Sequence, residues 1–118
     1  MDTNHEQPVT PDALPVTVRA FLAAHVARET EAALRLLAPD AVVVDEGQTY
    51  RGSEGVREFL ERAGSEFTYT TELVAAGRGG PGRWVAVNRL EGDFPGGVAE
   101  LPYRFSLSDD LIEELVIG

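Results

Sequence analysis

At 118 residues, with 43% hydrophobic and 25% charged content, the chain is sized for one domain with a single core and is too short for two. It has no cysteine, which excludes disulfides, redox thiols and thiolate metal sites, and two histidines, His5 and His25, are too few for a zinc site. Its net charge is −10 and its arginines form no cluster or stripe, so neither nucleic acid nor an anionic membrane is an expected partner.

No apolar run approaches the ~20 residues that span a bilayer. The opening MDTNHEQPVTPD lacks the basic patch and apolar stretch of a signal peptide, so a cytoplasmic protein is expected. Residues 1 to 12 are polar, carry Pro8 and Pro11, and read as a flexible arm ahead of a domain spanning 13 to 118. From Pro15 the spacing is helical: Val18, Phe21, Leu22, His25 and Val26 fall on one face. A short second helix fits 30 to 37, with Thr30 as N-cap, Leu34 and Leu37 inward, and Pro39 as its stop.

The period then shortens. Residues 41 to 45 read as a strand, Glu46-Gly47-Gln48 as a turn and 49 to 51 as a return strand. Ser53 is placed to cap a third helix over 54 to 63, with Val56, Phe59 and Leu60 inward and Gly64 near its end. The stretches EFTYTTELVAAG, RWVAVNRLEGDF, VAELPYRFSL and LIEELVIG are strands, divided by the turns GRGGPG, PGG and SDD. That is the pattern of an antiparallel meander. GRGGPG cannot cradle a phosphate, because no helix N-terminus follows it. Together these elements predict an α+β fold, with three N-terminal helices packed on a curved antiparallel sheet.

This order resembles the cone fold of the nuclear transport factor 2-like superfamily. LRLLAPDAVVVDEGQTYRGSEGVREFL looks like its segment from the second helix through the first hairpin to the third helix. NRLEGDFPGGVAELPYRFSLSDDLIEELVI is similar to the C-terminal hairpin of its SnoaL-like family. The resemblance covers about residues 15 to 118 and implies a cone with an internal pocket, open at one end. The fold carries isomerases, cyclases, dehydratases and non-catalytic modules alike. Members with ketosteroid isomerase chemistry keep an aspartate base at the end of the first strand, and Asp45 matches it. Their two oxyanion donors, a tyrosine on the first helix and an aspartate on the third long strand, match Phe21 and Leu101, which donate nothing. One such donor is worth roughly 2.7–4 kcal/mol, so isomerisation of an unconjugated steroid ketone is not expected.

Asp45 is thus the first candidate, either as a general base desolvated by Val42, Val44 and an aromatic lining, or as a solvated turn residue. His25 is the second, as a pocket acid or hydrogen-bond donor, or else a satisfied core histidine. Trp84, Ala86, Asn88 and Leu90 alternate on one face of their strand; if that face lines the pocket, Asn88 orients a ligand. The opposite face carries Val85, Val87, Arg89 and Glu91, and alternation does not choose between them. Tyr103 shares a face with Leu101 and Phe105, for packing or for ligand stacking. Glu113 and Glu114 straddle the last strand, so one of them is expected to point inward or into an interface. The expected ligand is a small apolar molecule, with Phe21, Trp84, Asn88, Leu101 and Tyr103 around it and no metal or organic cofactor. Strands apolar on both faces also predict a homodimer. The function read from these features is a cofactor-independent isomerase, cyclase or dehydratase acting on a carbonyl compound, or a binding module without chemistry.

Overall fold

Alternation and helical spacing translate into three helices and seven strands in the computed structural model, which describes residues 7–62 and 67–118. The strands are β1 (Gln7–Val9), β2 (Leu37–Asp45), β3 (Gln48–Arg51), β4 (Tyr69–Arg78), β5 (Arg83–Gly92), β6 (Val98–Ser108) and β7 (Leu111–Ile117). The helices are α1 (Val16–Val26), α2 (Thr30–Leu34) and α3 (Gly52–Arg62). All seven strands join one sheet in the order β1-β4-β5-β6-β7-β2-β3. The meander from β4 to β7 is antiparallel as expected. No helix among the described residues is long and apolar enough to cross a membrane.

Four features depart from the sequence reading. The sheet is mixed, because β7 pairs parallel with β2 and inserts between the meander and the β2–β3 hairpin. The stretch expected as a flexible arm contributes β1, whose Gln7, Pro8 and Val9 pair with Arg78, Gly77 and Ala76. Pro8 can sit there because β1 is an edge strand. Residues 1–6 of that arm, with His5, and the expected helix end at Gly64 lie outside the described residues. Third, α3 follows the β2–β3 hairpin, as its expected range already had it, so only α1 and α2 precede the main part of the sheet and the helices are not all N-terminal.

The fourth departure concerns α2 and Pro39. The helix stops at Leu34, and Leu37 and Pro39 belong to β2. Between Leu37 and Val42 the register against β7 shifts, from Ile112 to Glu114, so β2 bulges over this stretch. A bulge tolerates the amide that proline lacks. A second bulge lies between Ser106 and Leu107 of β6, which pair with Glu114 and Ile112. Glu113 is the extra residue there, and both Glu113 and Glu114 end up exposed, contrary to the strict alternation expected of β7.

The core lies between the helices and one face of the sheet. Phe21 of α1, Phe59 of α3, Phe105 of β6, and Ile112 and Leu115 of β7 are fully buried in it. Val56, Phe59 and Leu60 form the buried face of α3, as their spacing predicts. On α1 the buried face is rotated: Thr17 and Ala24 are inside and Val26 is 56% exposed. Arg57 of α3 forks onto both oxygens of Glu31 and ties α3 to α2.

Candidate functional site

Along β2, Ala41, Val43 and Asp45 take the inward side of the pleat. Ala41 and Val43 are buried in the core, and Asp45, at the strand end, is half-buried. The turn beyond it is built by the next two residues. Glu46 and Gly47 both take left-handed backbone, φ 52° and 77°, and close Asp45 onto Gln48. This is the two-residue hairpin pattern that matches strand twist. The Asp45 carboxylate takes no part in it and accepts no side-chain hydrogen bond among the described residues, which leaves it for the cavity.

Asp45 and Tyr103 both register against Ile117, from opposite sides of β7. Ile117 and Tyr103 are 9% and 6% exposed and line the same cavity as the acid. Val42 and Val44, expected to desolvate Asp45, lie on the other side of the pleat; Phe59, Tyr103 and Ile117 share its cavity instead. Burial raises the Asp45 carboxyl above the usual carboxylate range, and the charge of Glu46 adds to it. Burial also pushes the Tyr103 phenol up, helped by Tyr69 and by the Asp45 charge, so the phenol stays protonated as a donor.

The cavity has a volume of about 410 Å³, within the range of small-molecule sites. Leu90, Ala99 and Leu101 form its sheet wall and Phe59 its helix wall. Its rim is aromatic: Phe94 meets Phe67 and Tyr69 edge-on, at centroid distances of 6.1 and 6.4 Å. Asp93 clips this rim together. Its carboxylate accepts the Thr68 amide at 2.8 Å, and its own amide donates to the Thr68 carbonyl at 3.1 Å. Gly92 permits the approach, because a Cβ there would sit 2.7 Å from the Tyr69 Cα.

His25 lies between Phe21 and Phe59, its ring nearly parallel to both at 5.8 and 5.7 Å. Burial, with the charge of Arg28 behind it, pushes its pKa down to about 4. At neutral pH it is therefore an uncharged imidazole. It lines the 410 Å³ cavity and also a smaller adjoining one of about 230 Å³.

The structure thus brings Asp45, His25, Leu101 and Tyr103 to one cavity. Asn88 faces inward, 3% exposed, on the wall of the smaller cavity. The face of β5 that carries Ala86, Asn88 and Leu90 is accordingly the inner one. Phe21 lies in the core behind His25 and lines neither cavity. Trp84 is outside both as well; it stacks under Arg78, whose guanidinium is 5.4 Å from the ring centroid. Tyr69 is a pocket residue that the sequence reading passed over. It alternates with Thr71 on β4, and that spacing alone marked it as sharing a face. Among the described residues no group of three or more His, Asp or Glu side chains is placed to hold a metal ion.

Comparison with known proteins places this geometry. None of the curated proteins matches the chain. A candidate polyketide cyclase from Sinorhizobium meliloti superposes with a TM-score of 0.85 at 28% identity, over 93% of this chain and 100% of that one. A ketosteroid isomerase-like protein from Catenulispora acidiphila, in complex with trimethylamine, gives a TM-score of 0.75 at 20% identity, over 93% and 86%. A Mycobacterium tuberculosis protein in complex with estradiol-17β-hemisuccinate gives 0.70 at 17%, over 86% and 89%. The last two share the fold. The family model described as a SnoaL-like domain matches residues 18–106, most of the chain, and the protein belongs to that family.

Proposed function

We propose that this protein binds a small, mostly apolar carbonyl compound and acts on it as a cofactor-independent isomerase, cyclase or dehydratase, with Asp45 as general base. The observation that carries this reading is a half-buried carboxyl, raised by desolvation, facing an apolar cavity beside a buried phenol. Desolvation makes a carboxylate a stronger base, nearer the pKa that proton transfer at neutral pH requires. Asp45 takes the proton from the carbon next to the carbonyl, and the electron pair moves onto the carbonyl oxygen. The hydroxyl of Tyr103 donates to that oxygen, with Tyr69 as the second hydroxyl on the same cavity. They stand in for the donors absent at Phe21 and Leu101. The polyketide cyclase and steroid-bound relatives support the same class of ligand.

Deuterium exchange tests the reading. Cyclic ketones in heavy water should exchange the proton next to the carbonyl faster with the protein than in buffer. Tyr103→Phe should slow that exchange on the order of 10²-fold, the usual loss for one oxyanion donor. Binding of the ketones without exchange favours the non-catalytic module, to which the apolar Phe21 and Leu101 already point.

The working unit we propose is a cytoplasmic homodimer. The sheet face turned away from the cavity carries the apolar pairs Val87–Pro102 and Val44–Val116, with Arg104 beside Val116 and Glu114 beside Val42. Apolar pairs interspersed with single charges of both signs suit a second copy about a two-fold axis. Sedimentation at micromolar concentration should show twice the 12.8 kDa chain mass; a single species at 12.8 kDa overturns the dimer.

A further inference from the structure

The two cavities are adjacent. His25, Phe67, Tyr69 and Tyr103 line both, so these four side chains form their common wall. The chambers differ in chemistry. Leu90, Phe94, Ala99, Leu101 and Ile117 make the larger one apolar, apart from its acid end. The smaller one adds Thr68, Thr71, Arg28 and Asn88. At about 230 Å³ it falls below the ~300–1,000 Å³ typical of small-molecule sites, so it suits an extension of the larger chamber better than a site of its own.

Asn88 is the unusual residue in it. Its cross-strand neighbours are Leu73 and Leu101, and Ala86 and Leu90 flank it on its own face. It is 3% exposed, and no side-chain hydrogen bond holds it among the described residues. A buried amide normally has its partners, and one without them is costly unless something else supplies them. Yet among the described residues none of the buried side-chain polar atoms is sealed off without a partner, so the amide retains access to the cavity it lines.

We infer that Asn88 is the hydrogen-bonding pole of a second subsite, contiguous with the Asp45 pocket, that takes the neutral hydroxyl or carbonyl end of an elongated and otherwise apolar ligand. This rests on the Asp45 reading and specifies its substrate class. A neutral pole follows from Asn88 itself, an uncharged donor and acceptor with uncharged Thr71 near it; among the described residues Arg28 is the one charged side chain on this chamber, and the net charge of −10 over the whole chain disfavours anions. The length follows from register. Asp45 lies three strands from β5, and Asn88 two residues along from Ala86, which shares a row with Asp45 through Tyr103 and Ile117. With strands about 4.8 Å apart, the two Cα atoms are on the order of 15 Å apart on a flat sheet, and less on a curved one. Such a span fits a rigid body of two or three rings with one polar group at each end.

A matched pair of rod-shaped probes tests this: biphenyl with a hydroxyl at both para ends, and biphenyl with one para hydroxyl only. The unmodified protein should bind the two-ended probe about tenfold more tightly, the contribution of one well-placed hydrogen bond. Asn88→Leu should erase that preference while keeping the affinity for the one-ended probe. In the unmodified protein, the side-chain amide resonances of Asn88 should shift with the two-ended probe and stay in place with the other, a readout independent of how the variant folds. Equal affinities for the two probes, or an unmoved Asn88 amide, overturn the subsite and leave the Asp45 pocket standing. Failure of both probes to bind overturns the pocket and the subsite together.

Discussion

Asp45→Asn is expected to remove most of any catalysed proton exchange while leaving the protein at least as stable at pH 7. A general base contributes about 10²–10⁴-fold, and the amide cannot accept the proton. The stability result follows from the sign of the shift. The folded carboxyl titrates above the ordinary aspartate value of about 3.9. Below that value both states are protonated and no penalty exists. As pH rises through the interval up to the folded pKa, the unfolded chain gives up its proton first and stability falls. At pH 7 the native protein carries that cost, and the nearly isosteric amide does not. Glu46→Asn provides an internal check. It removes the second cause of the shift and places a residue tolerant of left-handed backbone at φ 52°, so the Asp45 midpoint should drop and stability should rise. Carbon NMR titration of the Asp45 carboxyl reads both. A midpoint below the unfolded value, with a destabilised Asn variant, would falsify the base assignment and make Asp45 a turn residue.

Acid should unfold the protein earlier than its carboxylates alone would cause, because of His25. Its folded pKa of about 4 lies below the unfolded value of about 6.5. Above pH 6.5 the imidazole is neutral in both states and its full contribution is present. As pH falls from 6.5 towards 4 the unfolded chain takes up a proton that the folded one refuses, and stability is lost. At 1.36 kcal/mol per unit, the loss is on the order of 3 kcal/mol. Asp45 works in the opposite direction at the lower end of this window, so the measurement is cleanest on the Asp45→Asn background. Urea melts between pH 4 and 7 should show a slope of nearly one proton that His25→Phe removes. Phenylalanine suits the slot between Phe21 and Phe59, so the variant should fold. The same slope in both proteins would show that His25 does not carry the linkage.

The sequence made legible whatever depends on local period. The buried triplet Val56, Phe59 and Leu60 and the four meander strands were readable, because a helix face and a pleat repeat within a few residues. Pro39 misled, since its stop signal is the same at a helix end and in a strand bulge, and only pairing with β7 distinguishes them. The parallel β2–β7 pair left no local trace, and with it the meeting of Asp45 and Tyr103 across Ile117 stayed hidden. Val42 and Val44 were expected beside Asp45, yet the two-residue period of a strand puts Val43 on its side of the pleat and those two on the other. Glu113 and Glu114 could not be placed, because one bulged residue resets the alternation on both sides of it. Tyr69 was visible as a strand residue, but its role depends on Phe94, which reaches it from the far side of a turn.

The insertion of β7 between β6 and β2 also bears on the order in which the molecule assembles. β2 has only β3 as a neighbour until the last strand is in place, and an isolated hairpin is marginal in water. The ladder that fixes Asp45 joins segments from opposite halves of the chain, so its loop entropy is lost before any contact repays it. Such non-local closure slows folding. Asp45 therefore meets Tyr103 only through β7, and a chain that lacks β7 would hold Asp45 on a hairpin with nothing to face.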